Sequence, residues 1–382
     1  MKIGIITICK VNNYGAELQA FATQKKLEQM GFEAEIIDYI YYKNWRFKDT
    51  PKSAPFIAMS IKQKIAYNLK YRCINWVIDV LLPIISTKEQ YRKIRYRNFH
   101  QHINFSPSYY SIDDLYKNTP QYDIYMTGSD QVWNPAAQSS IEPYFLTFAP
   151  RERKKISYAS SFGISKLNKN LQPKFRDLLN NFDAIGVREQ DGVNLVQYLC
   201  NKEAQLVVDP TLLLTRDEWK PYTKEYPNIP SEYILIYQLS DSNILAEQAI
   251  RLGSKTGLPI YRICKRSYMN KKNKDITNIT DAGPQEFLSL ISKANFVLTD
   301  SFHGTAFSVN FATPFYAILS TRKANNSRIE SLLEKLNLKD RIIYDNNIMD
   351  MSESPLPNYN FELNKLRNQS IEFLINNINT QR

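Results

Sequence analysis

The segment KIGIITICKVNNYGAELQAFATQKKLEQMGFEAEIIDY, residues 2–39, decides the fold. Residues 2–8 form an apolar run of the kind that lies buried on both faces of a parallel sheet. Residues 17–31 place apolar side chains at helical spacing and end at Gly31, a typical helix C-cap. Residues 32–39 read as a second strand. The order strand, helix, strand predicts a doubly wound parallel sheet.

The same alternation continues along the chain and restarts after Asp209-Pro210. Apolar runs predict further strands at 122–128, 154–162, 183–189, 205–212, 233–239, 259–264, 295–300 and 314–319. Helical spacing predicts helices at 171–182, 190–200, 243–257, 284–294, 301–312, 326–338 and 360–379.

A chain of 382 residues is longer than one ordinary core supports, so two domains are expected. We predict an α/β fold with two Rossmann-like domains facing a cleft. The N-terminal domain is expected at 1–205, with a basic helical insertion at 43–97. The C-terminal domain is expected at 206–345, and a tail and helix at 346–382 are expected to pack back on the body.

Composition argues against several classes of protein. The four cysteines form no CxxC pair, which argues against a zinc site or a disulfide scaffold and favours reduced thiols in the cytoplasm. The N-terminal apolar run predicts a strand, because no small-residue cleavage site follows it. The apolar stretch at 74–85 contains Asp79 and Pro83, and it is shorter than the roughly 18–20 residues that span a bilayer.

The positive charge of the chain is concentrated in one segment. The formal net charge is +11, and residues 43–97 hold thirteen lysines and arginines against three acids. Tyrosines and tryptophans lie between these charges. Such a segment suits an anionic membrane surface or a lipid-phosphate substrate, and the alternative is a solvated basic insertion. No nucleic-acid-binding module is visible, so nucleic acid is not an expected partner.

In doubly wound sheets, ligands sit beyond the carboxyl ends of the strands. The stretch TDSFHGTAFS, residues 299–308, lies where a strand becomes a helix. Ser301, His303, Gly304 and Thr305 fall in the first helical turn, whose N–H groups and dipole favour a phosphate or another anion. His303 could donate to that anion or shuttle a proton. The alternative is an ordinary N-cap followed by a structural histidine.

The loop after the first strand leads into a helix in the same way. Gly15 would let the backbone approach a ligand, and we assign Asn13, Tyr14, Gly15 and Glu17 to a binding site. The loop is not GxGxxG and lacks a Walker lysine, so it is a weak dinucleotide signal. A plain capped turn is the alternative.

The stretch GSDQVWNP, residues 128–135, joins Asp130, Gln131, Trp133 and Asn134 after another strand. A carboxylate, amides and an indole together suit a sugar, whose hydroxyls need several hydrogen-bond partners and whose ring face stacks on aromatic surface. Asp130 could also act as a base on a hydroxyl. The alternative is a capped turn with Trp133 filling the core.

Basic residues follow two other predicted strands. Arg188 lies at the end of 183–189, and Arg322, Lys323 and Arg328 follow 314–319. Guanidinium groups match carboxylates and phosphates bidentately, so a small substrate that bears both groups would suit this set. A structural ion pair for Arg188, or a solvated loop for Arg322 and Lys323, is the alternative.

Seven stretches together resemble the polysaccharide pyruvyltransferase family, in the order seen there. These are NNYGAELQAFA, TGSDQVWN, SYASSFG, VREQDG, VVDPTLLL, TDSFHGTAFS and NSRIESLL. The resemblance covers roughly residues 3–340. It implies a GT-B-like fold and transfer of a pyruvyl group from phosphoenolpyruvate to a sugar. It also implies that His303, Arg188 and either Lys323 or Arg322 bind the donor. We assign the donor further to Ser301, Gly304, Thr305 and Arg328. We assign the acceptor to Asn13, Tyr14, Gly15, Glu17, Asp130, Gln131, Trp133 and Asn134.

Our hypothesis is a ketal-forming pyruvyltransferase that uses phosphoenolpyruvate and a galactose-like hexose of a surface or capsular polysaccharide precursor. No cofactor or metal is expected, because arginines can supply the charge. The acceptor is expected to be linked to polyprenyl diphosphate, and the enzyme is expected in the cytoplasm at the inner membrane face. The alternatives are a nucleotide-sugar glycosyltransferase of the GT-B type and a glycan-binding or scaffold protein without catalysis.

Overall fold

The computed structural model describes residues 1–48, 60–135, 141–240, 243–264, 273–321, 326–345 and 356–380. Contacts divide the chain into two compact units. Unit 1 contains residues 1–85, 100–213 and 366–382, and unit 2 contains residues 86–99 and 214–365. The division between Leu213 and Leu214 falls a few residues beyond the expected boundary at 205. Residues 86–99, which include the last part of the basic insertion, belong to unit 2.

Unit 1 is built on a six-stranded sheet with the order β2-β1-β3-β4-β5-β6. Its strands are β1 (Lys2–Ile6), β2 (Glu33–Ile36), β3 (Ile124–Thr127), β4 (Lys154–Ser160), β5 (Ala184–Val187) and β6 (Gln205–Leu206). Each neighbouring pair is parallel. The carboxyl ends of all six strands therefore meet at one side of the sheet, which we call the unit 1 carboxyl edge.

Unit 2 repeats this plan with the strand order β12-β11-β10-β7-β8-β9. Its strands are β7 (Ile234–Tyr237), β8 (Ile260–Ile263), β9 (Ile276–Ile279), β10 (Phe296–Thr299), β11 (Phe315–Leu319) and β12 (Ile342–Tyr344). Its neighbouring strands are again parallel. The carboxyl ends of these strands form the unit 2 carboxyl edge.

Helices alternate with the strands in both units. In chain order they are α1 (Tyr14–Gln29), α2 (Ile61–Asn68), α3 (Leu82–Ile85), α4 (Thr87–His100), α5 (Ile112–Lys117), α6 (Gln172–Asn180), α7 (Gln190–Cys200), α8 (Pro210–Leu213), α9 (Arg216–Trp219), α10 (Ile244–Thr256), α11 (Pro284–Lys293), α12 (Phe302–Phe311), α13 (Ser327–Lys335) and α14 (Asn360–Asn379). Wider π-helical turns at Leu69–Ile74 and Val77–Leu81 lie between α2 and α3. Short 3₁₀ turns lie at Glu142–Phe145, Lys169–Leu171, Lys220–Tyr222 and Lys339–Arg341.

The second half of α14 packs on the unit 1 sheet. The Oγ of Ser370 accepts a hydrogen bond from the backbone N–H of Val208 at 2.9 Å. The Nε of Arg367 donates to the carbonyl of Leu212 at 2.6 Å. Gly186 in β5 lies so close to the Phe373 ring that a Cβ at this glycine would come within 2.8 Å of it. These contacts cover β5 and the residues that follow β6.

The α/β architecture with two Rossmann-like domains is confirmed, since each unit is a parallel six-stranded sheet with helices around it. The strand predicted at 205–212 is shorter, because β6 ends at Leu206 and Pro210 begins α8. Asp209 caps this helix, and its Oδ1 accepts from the backbone N–H of Thr211 at 3.0 Å. The short strands β9 and β12 at the two borders of the unit 2 sheet were not predicted.

Candidate functional site

Asp130 lies at the unit 1 carboxyl edge in a strained backbone conformation. Its φ is 75°, in the left-handed region that few residues other than glycine occupy, although aspartate and asparagine enter it more often than most. The Oδ1 of Asp130 accepts from the backbone N–H of Gln131 at 2.8 Å, and the side chain is 19% exposed. Strained residues of this kind concentrate at functional sites. A partly exposed carboxylate here can accept a proton from a bound hydroxyl.

Arg188 follows β5 at the same edge, and its guanidinium is buried among carboxylates. Its Nη1 donates to Asp209 Oδ2 at 2.7 Å, and the oxygens of Asp130 and Glu189 lie 3.8 and 3.9 Å from its other nitrogens. Burial alone would lower the pKa of Arg188, but the three acids raise it above the usual value. The cation is thus surrounded by more negative charge than it neutralises. Its assignment to the anionic donor stays a prediction.

Motif residues on three strand-end loops bind one another at this edge. Glu189 Oε1 accepts from the Ser161 hydroxyl at 2.8 Å and from the backbone N–H of Phe162 at 3.1 Å. Asn134 Nδ2 donates to Gln131 Oε1 at 2.7 Å. Both amide side chains rest against Gly163, whose φ is +64° and where a Cβ would lie 2.8 Å from Gln131. These contacts fix the loop that carries Asp130.

Trp133 fills the core of unit 1 and offers no face to a sugar. Its side chain is fully buried, and its ring stacks on Phe145 with centroids 5.1 Å apart and an interplanar angle of 11°. Its Nε1 donates to the carbonyl of Tyr144 at 2.9 Å. The assignment of Trp133 to acceptor binding is therefore corrected, because both the ring faces and the indole N–H are used inside the fold.

The loop from β1 to α1 is closed by its own side chains. The Oδ1 of Asn13 accepts from the backbone N–H groups of Gly15 and Ala16 at 3.0 and 3.3 Å. Tyr14 is 2% exposed. Asn13 therefore acts as the N-cap of α1, as the capped-turn alternative stated. The assignment of Asn13, Tyr14 and Gly15 to acceptor binding stays a prediction.

Glu17 pairs with a histidine from a distant part of the chain. Its carboxylate is fully buried, and Oε2 lies 2.8 Å from Nε2 of His100, whose side chain is 23% exposed. The other oxygen accepts from the backbone N–H of Val11 at 2.8 Å. An ionised carboxylate can only accept, so this hydrogen bond requires the proton on Nε2 of His100. Sequence reasoning did not select His100, since 83 residues separate it from Glu17 and no local pattern joins them.

The phenol of Tyr41 interacts electrostatically with Asp130, and the sequence analysis did not assign it to a site. Burial raises the pKa of Tyr41, a hydrogen bond with Tyr42 partly offsets this, and the charge of Asp130 raises it further. The rings of Tyr41 and Tyr42 lie 4.7 Å apart, edge to face. Tyr41 stays protonated at neutral pH as a consequence. A protonated phenol and a carboxylate together provide a donor and an acceptor for a polyol.

The first turn of α12 forms the candidate site of unit 2. Ser301 is its N-cap, with Oγ accepting from the backbone N–H of Gly304 at 3.4 Å, and Thr305 Oγ1 donates back to the Ser301 carbonyl at 3.1 Å. A Cβ at Gly304 would lie 2.4 Å from Thr299 Oγ1, so only glycine lets α12 approach β10 this closely. His303 is 8% exposed in this turn. The helix is buried along its whole length.

Arg328 lies beside the same turn. Its guanidinium is 5.9 Å from the centre of the Phe302 ring, and that ring meets His303 edge to face at 5.4 Å between centroids. The structure thus brings a cation and the predicted histidine to one corner of unit 2. Asp300, the residue before the N-cap of α12, accepts hydrogen bonds from the N–H groups of Leu239 and Ser240 at 2.7 and 2.9 Å and so holds the loop after β7. Arg322 and Lys323 lie outside the described residues.

Neither a metal-binding group of side chains nor a membrane-spanning helix is found among the described residues. Within the described ranges, no group of three or more His, Cys, Asp and Glu side chains is placed to bind a metal ion. In the same part of the chain, no helix is long and apolar enough to cross a membrane.

Comparison with known proteins gives one family and several distant structures. Residues 13–321 match the family described as polysaccharide pyruvyl transferase. Among curated proteins, no significant match was found. Solved structures that match include UDP-GlcNAc 2-epimerase of Methanocaldococcus jannaschii, at 15% identity over 97% of this chain and 100% of that chain with a TM-score of 0.48. Arabidopsis thaliana UGT89C1 matches at 11% identity over 98% and 95% of the two chains with a TM-score of 0.48.

Proposed function

Because the chain belongs to the polysaccharide pyruvyl transferase family, we propose that it moves a pyruvyl group from phosphoenolpyruvate to a hexose and forms a pyruvate ketal. The hexose is galactose-like and part of a surface or capsular polysaccharide precursor. The match over residues 13–321 is the observation that carries this proposal. It includes both the loop of Asp130 and the first turn of α12.

The donor is proposed to bind at the first turn of α12. Ser301, Gly304 and Thr305 belong to the positive end of that helix, which favours the phosphate or carboxylate of the donor. Arg328 adds a cation at the same corner, and Arg322 and Lys323 complete the set proposed in unit 2. The assignment of Arg188, which lies in unit 1, stays a separate prediction. Fixed cations stabilise phosphate as it leaves.

His303 is proposed to protonate the methylene carbon of phosphoenolpyruvate, which makes C2 electrophilic. One sugar hydroxyl attacks C2, and Asp130 accepts the proton of that hydroxyl. The bond between C2 and the phosphate oxygen then breaks, and phosphate departs with the bonding electron pair. A second hydroxyl attacks C2, closes a 4,6-linked ring and passes its proton to phosphate. One donor and two hydroxyls thus give one ketal and one hydrogen phosphate.

The acceptor is proposed to bind at the unit 1 carboxyl edge. Asp130 has a partly exposed carboxylate there, and the hydrogen bond between Gln131 and Asn134 holds its loop. Tyr41 adds a protonated phenol. Glu17 contributes through its pairing with His100. The acceptor is further proposed to be a glycan on polyprenyl diphosphate, presented at the inner face of the membrane.

The test is an assay with purified full-length protein, phosphoenolpyruvate and a panel of aryl galactosides and lipid-linked glycans. We expect release of phosphate together with a mass gain on the acceptor that equals one pyruvate ketal. Thermal shifts with phosphoenolpyruvate and with UDP- or GDP-sugars separate this proposal from a nucleotide-sugar glycosyltransferase, because a bound ligand stabilises the fold. Stabilisation by nucleotide sugars alone, without consumption of phosphoenolpyruvate, would refute the proposal.

A further inference from the structure

Most of the large apolar side chains that reach solvent lie in one helical segment of unit 1. Sixteen large hydrophobic residues are exposed in the described part of the chain, and nine of them fall between residues 61 and 85, with 39–79% of each side chain accessible. They are Ile61, Ile65, Leu69, Ile74, Trp76, Val77, Leu81, Ile84 and Ile85. A clustered apolar patch of this kind marks an interaction site. We propose that this apolar stripe docks on the surface of an anionic lipid bilayer.

The opposite face of the segment is attached to the body of unit 1. Tyr67 is 7% exposed, and its ring meets that of Tyr71 at 4.9 Å between centroids. Tyr71 in turn contacts Tyr42 at 6.0 Å. The Nη1 of Arg72 donates to the carbonyls of Tyr42 and Asn44 at 3.0 and 2.8 Å. The segment is therefore held in place with its apolar stripe turned outwards.

The spacing of the first three residues of the stripe fits a helix that lies flat on a surface. Ile61, Ile65 and Leu69 follow one another at intervals of four, which places them on one helix face. The π-helical turns Leu69–Ile74 and Val77–Leu81 widen the helix and continue it to Ile85. Among the described residues no helix is suited to span a membrane. An amphipathic segment with exposed Trp76 and no spanning capacity is typical of interfacial binding.

Charge selects a lipid bilayer over another protein surface. Lys62 and Lys70 are exposed on this segment, Lys64 is half-buried, and Asp79 is the one acid between residues 60 and 85. Lysine is depleted in the cores of protein interfaces. Basic side chains next to an apolar stripe are instead attracted to anionic headgroups while the apolar groups enter the acyl boundary.

The stripe is also linked to the predicted acceptor loop. The Nδ2 of Asn12, which precedes the N-cap of α1, lies 3.5 Å from Oδ1 of Asp79. Beneath the segment, ring contacts lead from Tyr67 through Tyr71 and Tyr42 to Tyr41. The charge of Asp130 raises the pKa of the Tyr41 phenol. Docking of the stripe would therefore hold the unit 1 carboxyl edge near the lipid surface. This rests on the proposed function and deepens it, because it accounts for the use of a lipid-linked acceptor.

The experiment is flotation of the full-length protein with vesicles of phosphatidylcholine alone or of phosphatidylcholine mixed with anionic phosphatidylglycerol. Wild-type protein should float with anionic vesicles and bind at least about tenfold less to neutral ones. The Ile65→Asp/Ile84→Asp variant should lose at least about tenfold in binding with an unchanged unfolding midpoint, because both positions are exposed. Phe361→Asp is the matched control, since Phe361 is 76% exposed outside the segment, and it should bind like wild type.

Three results would overturn the inference. The first is that the wild type does not float with vesicles, and the second is that Ile65→Asp/Ile84→Asp floats equally well. The third is that the wild type is dimeric in light scattering, the variant is monomeric, and neither binds vesicles. The last result would make the stripe an interface between two copies. Transfer to a soluble aryl galactoside reports separately on the proposed function. A protein that binds vesicles but transfers nothing would refute that function and leave the docking surface standing.

Discussion

The Nη1 of Arg188 donates to Oδ2 of Asp209 at 2.7 Å, and both side chains are at most 1% exposed. The two residues follow neighbouring strands, β5 and β6, so the pair joins the ends of two strands at the unit 1 carboxyl edge. Asp209 also accepts from the Ser129 hydroxyl at 2.8 Å, directly before Asp130. The geometry of the candidate base thus depends on a buried ion pair.

Breaking this pair should destabilise the protein. Arg188→Met leaves the Asp209 carboxylate buried without its cation, which costs about 3–5 kcal/mol of the free energy of unfolding. The measurement is urea unfolding at pH 7. Lys174→Met, which removes the partly exposed pair with Glu142, serves as the control and should change stability little.

The double variant Arg188→Met/Asp209→Asn separates charge from packing. The amide introduced by Asp209→Asn keeps an acceptor for Thr211 but carries no charge, so we expect the double variant to be more stable than Arg188→Met alone. Costs that simply add for the two changes would show that the pair is not coupled.

Asp130 offers a substitution that separates catalysis from backbone strain. Asparagine tolerates the left-handed backbone that Asp130 adopts at φ 75°. If Asp130 is the base, Asp130→Asn should keep the unfolding midpoint and lower pyruvyl transfer by about 10²–10⁴-fold. Asp130→Ala should in addition lose about 1–2 kcal/mol of stability, because the left-handed conformation is unfavourable for alanine. Asp217→Asn, at an exposed position, is the control, and a fully active Asp130→Asn would exclude the proposed role.

The three histidines allow a matched comparison for the donor side. His102 is exposed and His303 lies in the buried first turn of α12. His303→Asn should reduce consumption of phosphoenolpyruvate by about 10²–10⁴-fold, as expected for loss of a general acid. His102→Asn should act like wild type. Retained turnover in His303→Asn, with the fold verified by circular dichroism, would remove His303 from the mechanism.

His100 differs from these two because its ring serves a buried carboxylate. His100→Ala leaves one oxygen of Glu17 without this donor, which should cost about 1–3 kcal/mol of stability. His100→Gln retains an N–H donor and should recover part of that loss. Thermal unfolding of the two variants checks this, and equal melting temperatures for both would mean that the hydrogen bond contributes nothing.

The sheets were predictable from sequence because their strands are buried on both faces. Residues of β1, β3, β7 and β10 are apolar and buried nearly throughout, so the apolar run itself carries the signal. The strands β9 and β12 lie at the borders of the sheet and are short, and Ile276–Ile279 has polar residues between two buried isoleucines. Short border strands leave too weak a pattern to recognise.

Side-chain contacts between distant segments were less predictable from the sequence, because no local pattern joins the partners. Arg95 in α4 binds Asp281 at 2.9 Å and Glu286 at 3.3 Å, so this helix belongs to unit 2 although its sequence lies within the first domain. The motif places Trp133 in the loop after β3, but it does not reveal that the indole turns into the core. Polar residues at strand ends predict the place of a site, whereas their partners depend on tertiary packing.

The last prediction concerns the reactivity of the cysteines and can be tested without an activity assay. Burial raises the pKa of the Cys9 thiol, and the charges of Glu17 and Asp38 raise it further. Burial also raises the pKa of Cys264 to about 11. Because the thiolate is the reactive form and is only a small fraction of the population well below the pKa, both buried thiols should react slowly at pH 8. Cys73 is exposed on the apolar stripe segment, whereas Cys200 is half-buried and its pKa is raised by burial. The fastest phase with a water-soluble maleimide should therefore disappear in Cys73→Ser. Anionic vesicles should slow that phase at least several-fold in the wild type but not in Ile65→Asp/Ile84→Asp. An unchanged rate in the presence of vesicles would place Cys73, and the stripe around it, away from the lipid surface.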